Sequence, residues 1–445
     1  MLTRRDLILR STIGAGFVAT GNIGALFTDL SGENGYGPLR ADPAGLLDLP
    51  ARFSYSVVSR TGDALPGGGR TPSTFDGMGA FAGPRGAVRL VRNHELDGPP
   101  EFPAVAESGL TYDSGAGGGT TTLTLDRHNR RIDEYVSLAG TVRNCAGGLT
   151  PWATWLTCEE SEQTKGGSYR KDHGYVFEVD PADRSNNVDP TPLYGLGRFA
   201  HEAAAVDPAT GSVYLTEDAD NPHGLVYRFV PNDPLNGYGS LRNGGVLSAM
   251  ICHQVSTPVA DLCVFQEIGT ALAVDWVAVP DPLALARSTR KQFSDGQVTR
   301  SRKLEGAWWA DGRAYIVCSY ARVGDGSAVE HDGQVWSYDP AGQTLRLEAR
   351  FGLNPDPAGR KPDGPDNITV SPWGGLMLAE DGAGVQHLYA VTPDGVPSPF
   401  ARNALNDNEF AGICFAPDRR TLFASIQTPG VTFAITGPFA LVRRR

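Results

Sequence analysis

The chain reads as short apolar runs punctuated by turn residues, with few stretches patterned for a helix. The clearest instance runs from Asn144 to Glu160. An apolar run is broken by Gly147-Gly148 and again by Thr150-Pro151, which predicts strand, tight turn, strand. The layout recurs. Counting six residues back from the proline after the first strand reaches Cys145 before Pro151, Glu202 before Pro208 and Asp366 before Pro372. The second strands end alike, on Cys158-Glu159-Glu160, Thr216-Glu217-Asp218 and Ala379-Glu380-Asp381. Looser copies run from Leu304-Glu305-Gly306 through Asp311-Gly312 to Val317, and from Glu409 through Pro417 to Ala424. A further copy opens at Asp76-Gly77-Met78-Gly79 and returns along Val88 to Glu95.

Outer strands follow several copies, at Gly174 to Pro181, Gly224 to Pro231, Gly333 to Pro340 and Gln386 to Pro393. Six such hairpins predict an all-β fold, a six-bladed β-propeller with loop and helix insertions. Innermost strands of a propeller line its channel. Cys145, Glu202, Glu305 and Asp366, at one offset, would then form a ring. Any one acid could simply flank a turn; four groups at the same offset favour a site.

The predicted organisation is one propeller domain over residues 31–445, preceded by an export segment at 1–30. Residues 232–300 are the least regular part and read as an insertion, with Asp281 to Arg290 as its one helical stretch. The first segment carries Arg4-Arg5 and then a weakly apolar Gly/Ala-rich run from Ser11 to Phe27. It has the form of a twin-arginine signal, and the run is too polar and short for a stable membrane span. No clean small-x-small cleavage site is evident. The net charge of −11 argues against nucleic acid as a partner and suits an exported protein or one that holds multivalent cations. The six cysteines form no Cys-x-x-Cys pair and no disulfide framework. Cys318 and Cys414 sit in apolar runs as core thiols. A Cys252–Cys263 disulfide is the less favoured alternative to two free thiols.

The candidate chemistry lies at the strand ends. A thiolate such as Cys145 beside Glu159-Glu160 is unfavourable unless a cation sits between them. His94 precedes Glu95 and His201 precedes Glu202; the carboxylates are the better ligands and the imidazoles the better hydrogen-bonding orienters. Asp218, Asp220 and Asn221 suit a calcium loop and suit a solvated turn equally well. Asp366 and Asn367 offer two hard oxygens, to which Glu409 or Glu330 could add. Arg302 and Lys303 bring positive charge up to Glu305, as an anionic substrate requires; the competing reading is a solvated charge run.

These residues resemble the PhoX-type alkaline phosphatases. The resemblance rests on the twin-arginine start, Arg92-Asn93-His94-Glu95, Asn144 to Glu160, Lys303-Leu304-Glu305-Gly306, and Pro365-Asp366-Asn367 with Ala379-Glu380-Asp381. It implies a cluster of ferric iron (Fe3+) and calcium (Ca2+) at a channel mouth, hydrolysing phosphate monoesters in the periplasm or outside the cell. Carried over by motif, Cys145 is an iron ligand. Glu95, Glu160, Glu305 and either Glu202 or Glu217 are carboxylate ligands, and Asp366 and Asn367 lie at or near the metals. Where the family pattern has an Arg two residues before the inner-strand Glu, this chain has Lys303. A Lys is a point charge and cannot fork onto phosphate; Lys303 or Arg302 would steady the phosphate. The implied partners are a small phosphorylated substrate and the twin-arginine export machinery, with the protein a monomer and without stable membrane insertion. Two other readings compete: a calcium-dependent six-bladed lactonase or esterase, and a non-catalytic binding propeller stabilised by calcium.

Overall fold

Each apolar run becomes a strand that folds back on its neighbour, and the described residues hold strands and short 3-10 turns with no α-helix. The computed structural model describes residues 35–441 apart from 98–99, 107, 355–361 and 393–394. The export segment expected at 1–30, Pro393 and the Arg443-Arg444-Arg445 tail lie outside the described residues. No helix among the described residues is long and apolar enough to cross a membrane.

Backbone hydrogen bonds gather the strands into five sheets, of six, three, ten, four and four strands. This corrects the six-bladed propeller. The largest sheet follows a path of nine strands from His201–Val206 to Leu304–Ala310. Those two end strands lie against each other, so the sheet nearly closes on itself as a barrel. The other four sheets are separate and propeller-like. Their edge strands Phe75–Ala82, Asn144–Leu149, Pro365–Val370 and Phe410–Phe415 complete a ring with the two barrel ends, each against the next.

The fusion has an identifiable cause in the stretch read as an irregular insertion. Ala271–Ala278 is a strand that pairs on one side with Gly245–Gln254 and on the other with Thr344–Phe351. It buries Leu272 and Val274 while Ala271, Ala273 and Asp275 face out, the alternation of a half-buried strand. It thereby joins two hairpin units that the sequence pattern counts separately. The helix expected at Asp281 to Arg290 is absent, and a 3-10 turn occupies Thr289–Gln292. Tertiary partners take the backbone groups a helix would use. Arg198 donates to the carbonyls of Pro282 and Ala284, and the Gln292 carboxamide bonds Asp281 N, Asp281 O and Arg287 O.

The chain ends are knitted together. Ser54–Arg60, read as a strand from its alternation, pairs with the late strand Val431–Thr436. Leu47–Pro50 pairs with Pro397–Asn403 in the same way. Early and late segments share sheets, so the ring is closed by hydrogen bonds as well as by packing.

Candidate metal centre

Five ring strands share one local irregularity. Their pairing slips by one residue between the first and fourth positions, at Phe75/Met78, Asn144/Gly147, His201/Ala204, Leu304/Ala307 and Pro365/Ile368. A bulge re-aims the side chain inside it. The residues inside these bulges are Asp76, Cys145, Glu202, Glu305 and Asp366, all buried. Small neighbours let the strands approach. A Cβ on Gly77 would stand 2.6 Å from Ala146 Cα, and one on Gly306 would stand 2.8 Å from the Asp366 carbonyl oxygen. The ring groups therefore converge.

Three overlapping trios result: Cys145, Glu160 and Glu202; Glu202, Glu305 and Asp366; Asp366, Asp381 and Glu409. Within each, one ligand atom per residue lies within 4.8 Å of the others. Cys145 Sγ is 3.1 Å from Glu202 Oε1 and 3.7 Å from Asp76 Oδ2. Burial, reinforced by neighbouring acids, pushes the pKa values of Asp76, Cys145, Glu202 and Asp366 well above their ordinary values. Burial, with Asp218 nearby, pushes Glu305 up to about 8. Such a set carries its full negative charge only beside cations. The donor chemistry fits the implied metals: carboxylate oxygens suit calcium, and thiolate with carboxylate suits iron.

The acidic pairs at the second-strand ends divide their work. Glu159 accepts hydrogen bonds from Val142 N, Gly174 N, Tyr175 N and His173. Glu380 is held by Asp363 N, His387 N and Tyr389 Oη. Glu217 bonds Tyr227 Oη at 2.7 Å and Arg290 Nη1 at 3.0 Å. The first acid of each pair is thus a structural anchor. The second, Glu160, Asp218 or Asp381, alternates to the ring side; Glu160 and Asp381 enter the trios, and Asp218 lies beside Lys303 and Glu305.

The expected site residues sort accordingly. Cys145, Glu160, Glu202, Glu305 and Asp366 are brought together. Glu217 is not, because Tyr227 and Arg290 occupy its oxygens. Glu95 stands at the rim, bonded to Arg143 at 3.2 Å and Gln427 at 2.8 Å. Asn367 orients its surroundings: Nδ2 donates to Asp366 Oδ1 at 3.0 Å, and Oδ1 accepts from Gly412 N at 2.6 Å. Lys303 reaches the ring, with Nζ 3.0 Å from Glu305 Oε1. Arg302 does not, since Asp261, Asp325 and Ser327 hold its guanidinium. His94 bonds Ser73 O and Thr121 Oγ1, as an orienter does. Glu330 bonds Val323 N in its own loop. Of the two readings of Asp218, Asp220 and Asn221, the shared loop is not formed: Asp220 pairs with His223 while Asp218 lies beside Glu305. All six cysteines are free, including Cys252 and Cys263.

Sequence reasoning missed Asp76, Asp381 and Arg143. Asp76 holds the bulge position of the first copy, but its turn comes later than those after Cys145, Glu202 and Asp366. Arg143 joins Glu95, Glu160 and Asp97 across the rim.

The family model for alkaline phosphatase PhoX matches residues 34–136 and 129–430. Among solved structures, PhoX of Pseudomonas fluorescens in complex with vanadate, a transition state analogue, aligns with TM-score 0.64 at 19% identity over 88% of this chain and 96% of its own. A gluconolactonase from Xanthomonas campestris aligns with TM-score 0.42 at 13% identity over 91% and 99%. No curated protein sequence matches. The family match spans nearly the whole described chain, and with it this protein belongs to the PhoX alkaline phosphatases.

Proposed function

We propose that the three trios hold ferric iron and calcium, with Cys145 toward iron, and that phosphate monoesters are hydrolysed over them. Membership of the family makes the chain a metal-dependent phosphoric monoester hydrolase. The observation that carries the placement is the convergence of a buried thiol and at least six carboxylates into overlapping ligand groups. Bound metals would supply Lewis acidity, neutralising charge on the phosphate oxygens as phosphorus is attacked.

The chain's own residues do the rest. Carboxylates anchored by backbone donors preorganise the ligand set. Lys303 sets a positive charge beside Glu305, where it can meet a phosphate oxygen. The charge of Glu305 holds that ammonium strongly protonated, with Asp218 and Asp381 adding to the effect. Arg302, buried in its own ion pairs, has no part in this scheme. We further propose residues 31–445 as the catalytic unit, acting as a monomer in the periplasm or outside the cell. The paired arginines and weakly apolar run at 1–30 support export by the twin-arginine route.

The test is elemental analysis of the exported full chain with a phosphomonoester assay, with and without calcium, for wild type and Cys145→Ala. Iron and calcium with turnover, both iron and turnover lost in Cys145→Ala, is the expected result. Full activity without iron, or in the variant, refutes the scheme. Calcium alone, with no phosphate ester turned over, returns the site to a lactonase or a binding role.

A further inference from the structure

Four of the bulged ring strands are entered through the same unusual backbone turn. Thr74, Arg143, Lys303 and Gly364 each stand two residues before a ring group, respectively Asp76, Cys145, Glu305 and Asp366. Their φ values are 51°, 48°, 35° and 44°. Residues other than glycine seldom adopt this left-handed region, and such outliers cluster where a site dictates the backbone. Two of the four are cations. Lys303 and Arg143 are therefore equivalent in the repeat, one entering the Glu305 strand and the other the Cys145 strand.

Their side chains behave alike. Lys303 pairs with Glu305, and Arg143 Nη2 pairs with Glu160 at 2.5 Å and Glu95 at 3.2 Å. Both side chains are 38% exposed, unlike Arg302 at 7%. Arg143 also lines a cavity of about 270 Å³ that borders the ring at Glu160 and Asp218. Its Nε and Nη2 face the carboxylates, while Nη1 has no acceptor among the described residues. A guanidinium has five N–H donors; three are spent on the rim acids, so the two on Nη1 are left to reach an anion.

We propose that Arg143 is the guanidinium that binds the substrate's phosphate group in this protein, its Nη1 donating to a phosphate oxygen while its Nε and Nη2 stay on the rim acids. The ligand class is a tetrahedral phosphate dianion, held between Arg143 and Lys303 over the ring. This rests on the phosphatase reading for its chemistry, but phosphate binding tests it separately.

The experiment compares wild type, Arg143→Gln and Arg143→Lys as the full metal-loaded chain. It measures the Kd for inorganic phosphate by calorimetry, KM and kcat for a phosphomonoester, and the iron and calcium content of each. Arg143→Gln is expected to keep its metals and to weaken phosphate binding and raise KM about tenfold to a hundredfold, the effect of losing charge-assisted hydrogen bonds. Arg143→Lys recovers part of the loss. Unchanged phosphate binding in Arg143→Gln overturns the proposal. Loss of metal from that variant also overturns it, making Arg143 an orienter of Glu95 and Glu160. Wild type that binds phosphate through Arg143 but hydrolyses no monoester would sink the phosphatase reading and leave the clamp standing.

Discussion

Asn93 should be among the most costly polar residues to truncate, although it is no ligand. It is buried, and its Nδ2 donates to the carbonyls of Cys145 at 2.8 Å and Ala146 at 2.7 Å. Its Oδ1 accepts from Trp155 Nε1 at 2.9 Å. Asn93→Ala removes three hydrogen bonds and orphans two carbonyls and an indole N–H. Each orphaned group costs about 1–3 kcal/mol, so the expected loss is roughly 3–5 kcal/mol after some relaxation. That is a large share of the ~5–15 kcal/mol that holds a domain folded. All three partners belong to the Cys145 hairpin, so the loss falls on the strand that aims the thiol. Urea unfolding of the full chain measures the first effect, and iron content of the folded variant measures the second. Asn93→Asp should be no milder, since it sets a carboxylate against two carbonyl oxygens while keeping only the acceptor for Trp155. A loss below about 1 kcal/mol with iron retained would refute the argument, because three buried partners would then have found other bonds.

Two further perturbations probe the ring and the surrounding fold. Gly306→Ala places a Cβ 2.8 Å from the Asp366 carbonyl oxygen and 2.9 Å from Asn367 Cα; overpacking of this kind costs about 1–3 kcal/mol and should part Glu305 from Asp366, read as weaker calcium binding and a lower melting temperature. His331 is buried with neither ring nitrogen bonded among the described residues, and burial depresses its pKa from 6.5 to about 4. The unfolded chain therefore takes up that proton first, and stability falls as pH drops from 6.5 towards 4, by about 3 kcal/mol in all. His331→Leu should lose about one proton's worth of that acid slope, measured by urea midpoints at neutral and acid pH; an unaltered slope would show that His331 does not titrate as described.

The ring was legible because several copies repeat the distance from bulge to hairpin turn. Cys145, Glu202 and Asp366 share that spacing, so their convergence followed from counting. Asp76 escaped because its return runs through Gly83-Pro84, farther along than the prolines that follow Cys145, Glu202 and Asp366. Which acid of a pair faces the ring was not legible, since a shift of one residue reverses every side chain in a strand. That is why Glu217 stands beside Glu202 as an expected ligand while Asp218 is read only with Asp220 and Asn221. The strand Ala271–Ala278 was hidden in a stretch without clear turn signals, and with it the fusion of two hairpin units into one sheet. The helix expected at Asp281 to Arg290 had acceptable local propensity, but Arg198 and Gln292 claimed its backbone groups.

The division within the acid pairs explains how the fold tolerates so much buried negative charge. Glu159, Glu217 and Glu380 lie just outside the ring, and each is satisfied by backbone amides, a tyrosine or an arginine. A carboxylate with several donors keeps its position whatever happens to its neighbours. Each anchor is the last residue of its strand and immediately precedes a ring-side acid, so the rigidity of Glu159 passes through one peptide unit to Glu160. The ring acids are aimed by backbone that other groups hold, and their own oxygens meet few donors: Arg143 at Glu160, Lys303 at Glu305 and Asn367 at Asp366. Cys145 follows the same rule, with Asn93 as its anchor across the strand and Arg143 at its entrance. A site assembled this way loses function by two separable routes. Removing a ring group deletes a ligand and leaves the backbone in place, whereas removing an anchor keeps every ligand and lets them drift apart.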